Sequence, residues 1–188
     1  MPGGLSRAQL PGRECAMRCK GMTLIELLVT LSIAAILLSI ATPTFSSWIT
    51  QSRLRAAAYD LFTDIQKSRS EAVKRSARIT LWNMADNDWG SGWEIFIDAN
   101  EDGDRDNGET VLYTRGAQAS VLDISGNSSV SSMISYQASG ETALASGAFQ
   151  AGTLTLCGRR INKAYQIVIS RGGRPRMIAV TRSAAGCS

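Results

Sequence analysis

Between Lys20 and Pro43 the chain reads KGMTLIELLVTLSIAAILLSIATP, an apolar run broken by a single charge, Glu26. About twenty residues of this kind, at roughly 1.5 Å each along a helix, reach about the depth of a bilayer's hydrocarbon core. Arg18 and Lys20 precede the run, and cationic flanks of this sort keep the N-terminal side cytoplasmic and send the C-terminal side across the membrane. A secretory signal has a shorter apolar core followed by a small-residue cleavage site. Here the run is longer, and the small residue, Gly21, stands before it.

Beyond Pro43, a residue that kinks a helix without ending it when neighbours compensate, helical periodicity resumes. Leu54, Ala58, Leu61, Ile65 and Ala72 recur at three- and four-residue spacing, with Arg55, Asp64, Lys67, Glu71 and Lys74 on the other faces. Glu71 and Arg75 form a favourable i,i+4 pair. The pattern predicts one helix from about Met22 to Ser76, bare and hydrophobic in its first half and amphipathic in its second.

From Arg78 the period becomes two. ARITLWN, GWEIFID, ETVLYT, SVLDIS, VSSMISY, GTLTLC, AYQIVIS and RMIAVT read as short strands between Gly, Asn, Asp and Ser clusters. A long helix followed by short strands predicts an α+β fold, the helix packed on antiparallel sheet. Ser120 to Gly147, rich in Ser, Ala and Gly, is read as holding a loose excursion around two of these strands.

Charge is unevenly placed. Nine acidic residues and one basic one lie between Met84 and Glu109, whereas after Glu141 there are seven basic residues and no acidic one. Such asymmetry points to a polyanionic partner for the basic end. The chain has no histidine, which removes Ser–His and Cys–His nucleophile arrangements, and no Gly-rich stretch leads from a strand into a helix as a phosphate loop does. An enzyme is not expected, and no cofactor is implied. DANEDGDRDNGE, Asp98 to Glu109, matches a calcium-loop pattern, but strand-like flanks replace the helices that such a loop needs. It is read as an acidic hairpin connection, with no metal ligand assigned.

The segment KGMTLIELLVTLSIAAIL resembles the N-terminal signal of type IV pilins and type II secretion pseudopilins. That resemblance implies cleavage by a prepilin peptidase after Gly21, methylation of Met22 as the new N-terminus, and Glu26 as the family's glutamate at the fifth mature position. The physics agrees, because a carboxylate in hydrocarbon needs a partner and the N-terminal amine of a neighbouring subunit supplies one. Residues 1–21 are then a leader, with Met17 a plausible start for the short form MRCKG; residues 22–49 are the membrane or filament-core half of the helix, and residues 50–188 a periplasmic globular domain. The implied location is the inner membrane, single-pass, and afterwards the pilus, with major and minor pilins as partners.

Cys15 and Cys19 leave with such a leader, so Cys157 and Cys187 remain as an expected disulfide in an oxidising compartment. GWEIFIDANEDGDRDNGETVL resembles a region of the FimT/GspH group of minor pilins. AYQIVISRGGRPRMIAV reads as a hairpin whose Gly172–Gly173 pair supplies positive φ. Arg174 and Arg176 fall on one side of an extended chain, roughly 7 Å apart, and Pro175 marks an edge. GRPR, Gly173 to Arg176, resembles the GRxR motif of FimT-like minor pilins, in which the C-terminal region binds DNA for uptake in natural transformation. The expected double-stranded DNA site is Arg171, Gly173, Arg174 and Arg176, widened by Arg159, Arg160 and Lys163. The competing expectation is a structural subunit, a FimU-like pilus-initiating minor pilin or an H-type pseudopilin, whose arginines face acidic surfaces of neighbours.

Overall fold

The computed structural model describes residues 21–85 and 87–187, without the side chains of residues 40–44. The leader up to Lys20, with Cys15, Met17 and Cys19, and the side chain of Pro43 lie outside the described residues. Helix α1 spans Leu24–Arg75. Thr23 caps it: its Oγ1 accepts from the Glu26 amide at 3.3 Å, satisfying one of the helix's free N-terminal donors. Among the described residues no helix is long and apolar enough to cross a membrane. By chain contacts, residues up to Ala41 form one unit and those from Thr42 on form another. In the first unit the apolar side chains of α1, among them Leu24, Ile25, Ile36, Leu37 and Leu38, stand exposed.

In the second unit the expected helical face is buried: Leu54, Ala58, Leu61, Ile65 and Ala72 are fully covered. Asp64 departs from expectation. It stands on this buried face, where its carboxylate accepts from the Trp93 indole at 2.9 Å and from Arg115 Nε at 2.8 Å. A buried charge is tolerable when so paired, and the same contact holds the Arg115 guanidinium more firmly protonated than usual.

Eight strands follow: β1 (Ile79–Asn83), β2 (Trp93–Ile97), β3 (Val111–Arg115), β4 (Leu122–Gly126), β5 (Met133–Tyr136), β6 (Gly152–Gly158), β7 (Ala164–Ile169) and β8 (Pro175–Val180). Each overlaps a segment expected to be a strand, with β3, β4, β6 and β8 running one residue beyond it. They form two antiparallel sheets, ordered β3-β2-β1-β5 and β4-β6-β7-β8. One apolar cluster joins α1 to both, with Ile79, Leu81, Ile95 and Ile134 from the first sheet and Ile124, Leu154, Leu156, Ile167 and Ile169 from the second.

Ser120 to Gly147 is ordered by two of the expected strands. It holds β4 and β5, which belong to different sheets, so this stretch is the crossover between them. Beyond β5 the chain is held by two buried polar side chains. Arg78 donates to the carbonyls of Ala143 and Leu144, each at 2.9 Å. Gln150 accepts from the Ser135 amide and donates to the carbonyls of Ser129 and Met133. Backbone groups without a ladder partner are thus satisfied by side chains.

Candidate nucleic-acid interface

β7 and β8 pair in register from Ala164↔Val180 to Ile169↔Pro175, so residues 170–174 form the tip of a hairpin. The Gly173 amide donates to the Ser170 carbonyl at 2.9 Å, and the Ser170 amide to the Arg174 carbonyl at 3.2 Å. Gly173 supplies the positive φ, +71°, without Gly172. β8 is an edge strand and Pro175 begins it, a place where a missing N–H costs nothing.

Gly173 is buried, so it shapes the tip instead of touching solvent. A Cβ there would meet the Gly140 carbonyl oxygen at 2.5 Å and the Tyr136 ring at 2.9 Å. The buried Tyr136 hydroxyl donates to the Gly173 carbonyl at 2.9 Å, and burial raises its pKa well above the ordinary phenol value. On the other side of the same contact, Arg69 Nε of α1 donates to the Gly140 carbonyl at 2.9 Å. The helix, the end of β5 and the hairpin tip are thereby locked together.

The three arginines of the tip have different surroundings. Arg174 and Pro175 line an open cleft of about 350 Å³ with Gln66, Arg69 and Ser70 of α1. Two guanidinium groups therefore border one cleft whose lining holds no carboxylate. Arg171 stacks over the exposed Phe149 ring at 4.0 Å, beside a second cleft that includes Glu141. Arg176 is exposed on β8, opposite Val168. No salt bridge joins any of these three to a carboxylate among the described residues. Arg69 was not foreseen as part of the site, although it stands four residues after Ile65 and three before Ala72, on the side of α1 that faces the domain, and is half-buried there.

Arg159, Arg160 and Lys163 do not widen this patch. They lie in the β6–β7 connection, at the opposite end of β7, and a strand of that length separates the two groups by roughly 20 Å. The Cys157–Cys187 disulfide also belongs to that far end, since Cys157 pairs with Ala164, and so it leaves the tip uncovered. The acidic Asp98–Glu109 stretch connects β2 to β3. Asp98 is buried, accepts from Thr80 Oγ1 at 2.9 Å and from the Gly103 amide at 3.1 Å, and has its carboxyl pKa raised by burial. No group of three or more metal-ligating side chains is gathered there or elsewhere among the described residues.

A long helix whose C-terminal half packs on antiparallel sheet is the architecture of a type IV pilin-like subunit. Residues 57–173 match the family described as Type II transport protein GspH, and residues 16–42 match the prokaryotic N-terminal methylation motif. The chain belongs to the GspH family. It is 34% identical over 102 residues to the pilin-like protein PilA1 of Thermus thermophilus, a match that spans 54% of this chain and 63% of that relative, less than two thirds of it. Its fold resembles the type IV minor pilin FimU of Pseudomonas aeruginosa, with a TM-score of 0.54 at 24% identity, covering 68% of this chain and 90% of that one. The minor pseudopilin EpsH of the Vibrio cholerae type II secretion system has a TM-score of 0.50 at 10% identity, over 68% of this chain and 97% of its own.

Proposed function

We propose that this chain is a minor type IV pilin of the FimT kind, which binds double-stranded DNA at the β7–β8 tip for uptake in natural transformation. The observation that carries the reading is the cleft in which Arg69 and Arg174 face the same space without a carboxylate. Two cations so placed repel one another until an anion enters, and a planar guanidinium grips phosphate through two oxygens at once. Arg171 and Arg176 extend the cationic surface to either side. Contacts to phosphate carry no base information, so binding is sequence-independent. Cleavage after Gly21 frees the amine of Met22, which Glu26 of an adjacent subunit meets in the filament, and the exposed apolar half of α1 supplies the packing surface. Before assembly the same half anchors the precursor in the inner membrane.

The test is titration of the full chain, in detergent, against labelled duplex DNA. Arg174→Gln with Arg176→Gln weakens binding by about tenfold, a figure set below that of buried charged hydrogen bonds because both groups are solvated. A parent that fails to bind at low salt sinks the reading. The purely structural role shared by FimU- and EpsH-like subunits, with the arginines turned to acidic neighbours, then stands in its place.

A further inference from the structure

The basic residues at the other end of β7 have a surface of their own. Arg159 and Arg160 line an open cleft of about 580 Å³ with Ser46, Ser47 and Thr50 of α1 and with Val121. On the same stretch of α1, but on the side of the helix turned away from that cleft, Phe45 and Trp48 are 62% and 64% exposed, their rings stacked with centroids 6.0 Å apart. Lys163 is exposed on the same connection, and no carboxylate lines the cleft. In the chain these aromatics directly follow the apolar run that ends at Ala41. A tryptophan left exposed in water has no stability argument in its favour, yet at the same level of the helix as cations and at the end of an apolar segment it matches the membrane–water interface. There, amphipathic rings sit at headgroup depth and cations meet anionic lipid.

We propose that the chain binds anionic phospholipid headgroups at this level of α1, Trp48 and Phe45 lying among them on one side of the helix while Arg159 and Arg160 engage the phosphates on the other. The chain then carries two cationic ends with different partners, nucleic acid at the tip and lipid at the base. The inference rests on the membrane-anchored reading of the N-terminal half.

The experiment uses the full chain in mild detergent, equilibrated with equal phosphatidylglycerol and phosphatidylcholine, with retained lipid read by native mass spectrometry. The parent retains phosphatidylglycerol over phosphatidylcholine by about fivefold or more, the expected gain for a single cation at an anionic surface. Arg159→Gln with Arg160→Gln brings the ratio close to unity, Arg159→Lys with Arg160→Lys keeps it, and the Arg174→Gln, Arg176→Gln pair leaves it unchanged. An equal ratio in the parent overturns the proposal. So does a preference that survives the glutamine pair, or a glutamine pair that instead weakens duplex DNA binding. Should the glutamine pair fail to fold, added salt applied to the parent decides, because a preference indifferent to salt is not electrostatic. Flotation with vesicles separates the two levels of failure. A chain that floats with neutral vesicles but shows no headgroup preference loses this inference alone, whereas one that floats with no vesicle loses the anchored reading as well.

Discussion

Gly173 and Tyr136 show how a motif read as a contact becomes a fastening. The glycine of GRPR is buried against the Gly140 carbonyl, and its own carbonyl takes the Tyr136 hydroxyl. Gly173→Ala adds a Cβ at a φ of +71° and 2.5 Å from a backbone oxygen, so strain and overlap act together. The expected cost is about 2–3 kcal/mol, read as a lower thermal midpoint, and DNA affinity falls with it because the tip no longer seats against α1. Tyr136→Phe is milder, about 1 kcal/mol, since it removes one buried hydrogen bond and keeps the ring. An alanine variant that melts with the parent would show that the tip is not packed as described. The GRxR resemblance made Gly173 look like part of a binding loop; its burial comes from β5 of the other sheet and the Gly140 turn, and GRPR holds no trace of Tyr136.

The elements themselves were largely legible. Leu54, Leu61 and Ile65 declared the buried face of α1 because a helix returns the same side every three or four residues, and the strands declared themselves by alternation between turn residues. Their division into two sheets was not legible, since β4 and β5 are consecutive, look alike, and pair with different partners. The same gap in information merged Arg160 and Lys163 with Arg174, because residues at the two ends of one strand are close in sequence and far apart in space. The disulfide tests that geometry. Cys157 and Cys187 are 30 residues apart, and closing a loop of that size contributes roughly 3–4 kcal/mol in the chain-entropy account. Reduction, or Cys187→Ser, lowers the thermal midpoint accordingly yet leaves DNA affinity within about twofold at temperatures where the domain is folded. Lost affinity in a folded, reduced chain would mean that the tail supports the tip after all.

Across the whole molecule, the charge asymmetry of the sequence becomes a division between the sheets. The acidic Asp98–Glu109 stretch hangs from β2 and β3, while the basic residues after Glu141 belong to the β6–β7–β8 side and split between the two ends of one strand. A net charge of +4 on the full chain conceals this, and binding to DNA depends on the local cluster, not the sum. The salt dependence of binding therefore counts the tip's cations. Each neutralised phosphate contributes a slope of about −0.9 in log affinity against log salt, so contacts from Arg69, Arg171, Arg174 and Arg176 predict a slope of roughly −3 to −4. Arg174→Gln reduces its magnitude by about one, and Arg69→Gln does the same while also loosening the Gly140 turn, so its midpoint must be measured alongside. Arg159→Gln and Arg160→Gln leave the slope where it was. A slope that shrinks with the distant pair instead would unite the two cationic ends into one DNA track, and the separate partners assigned to them would have to be given up.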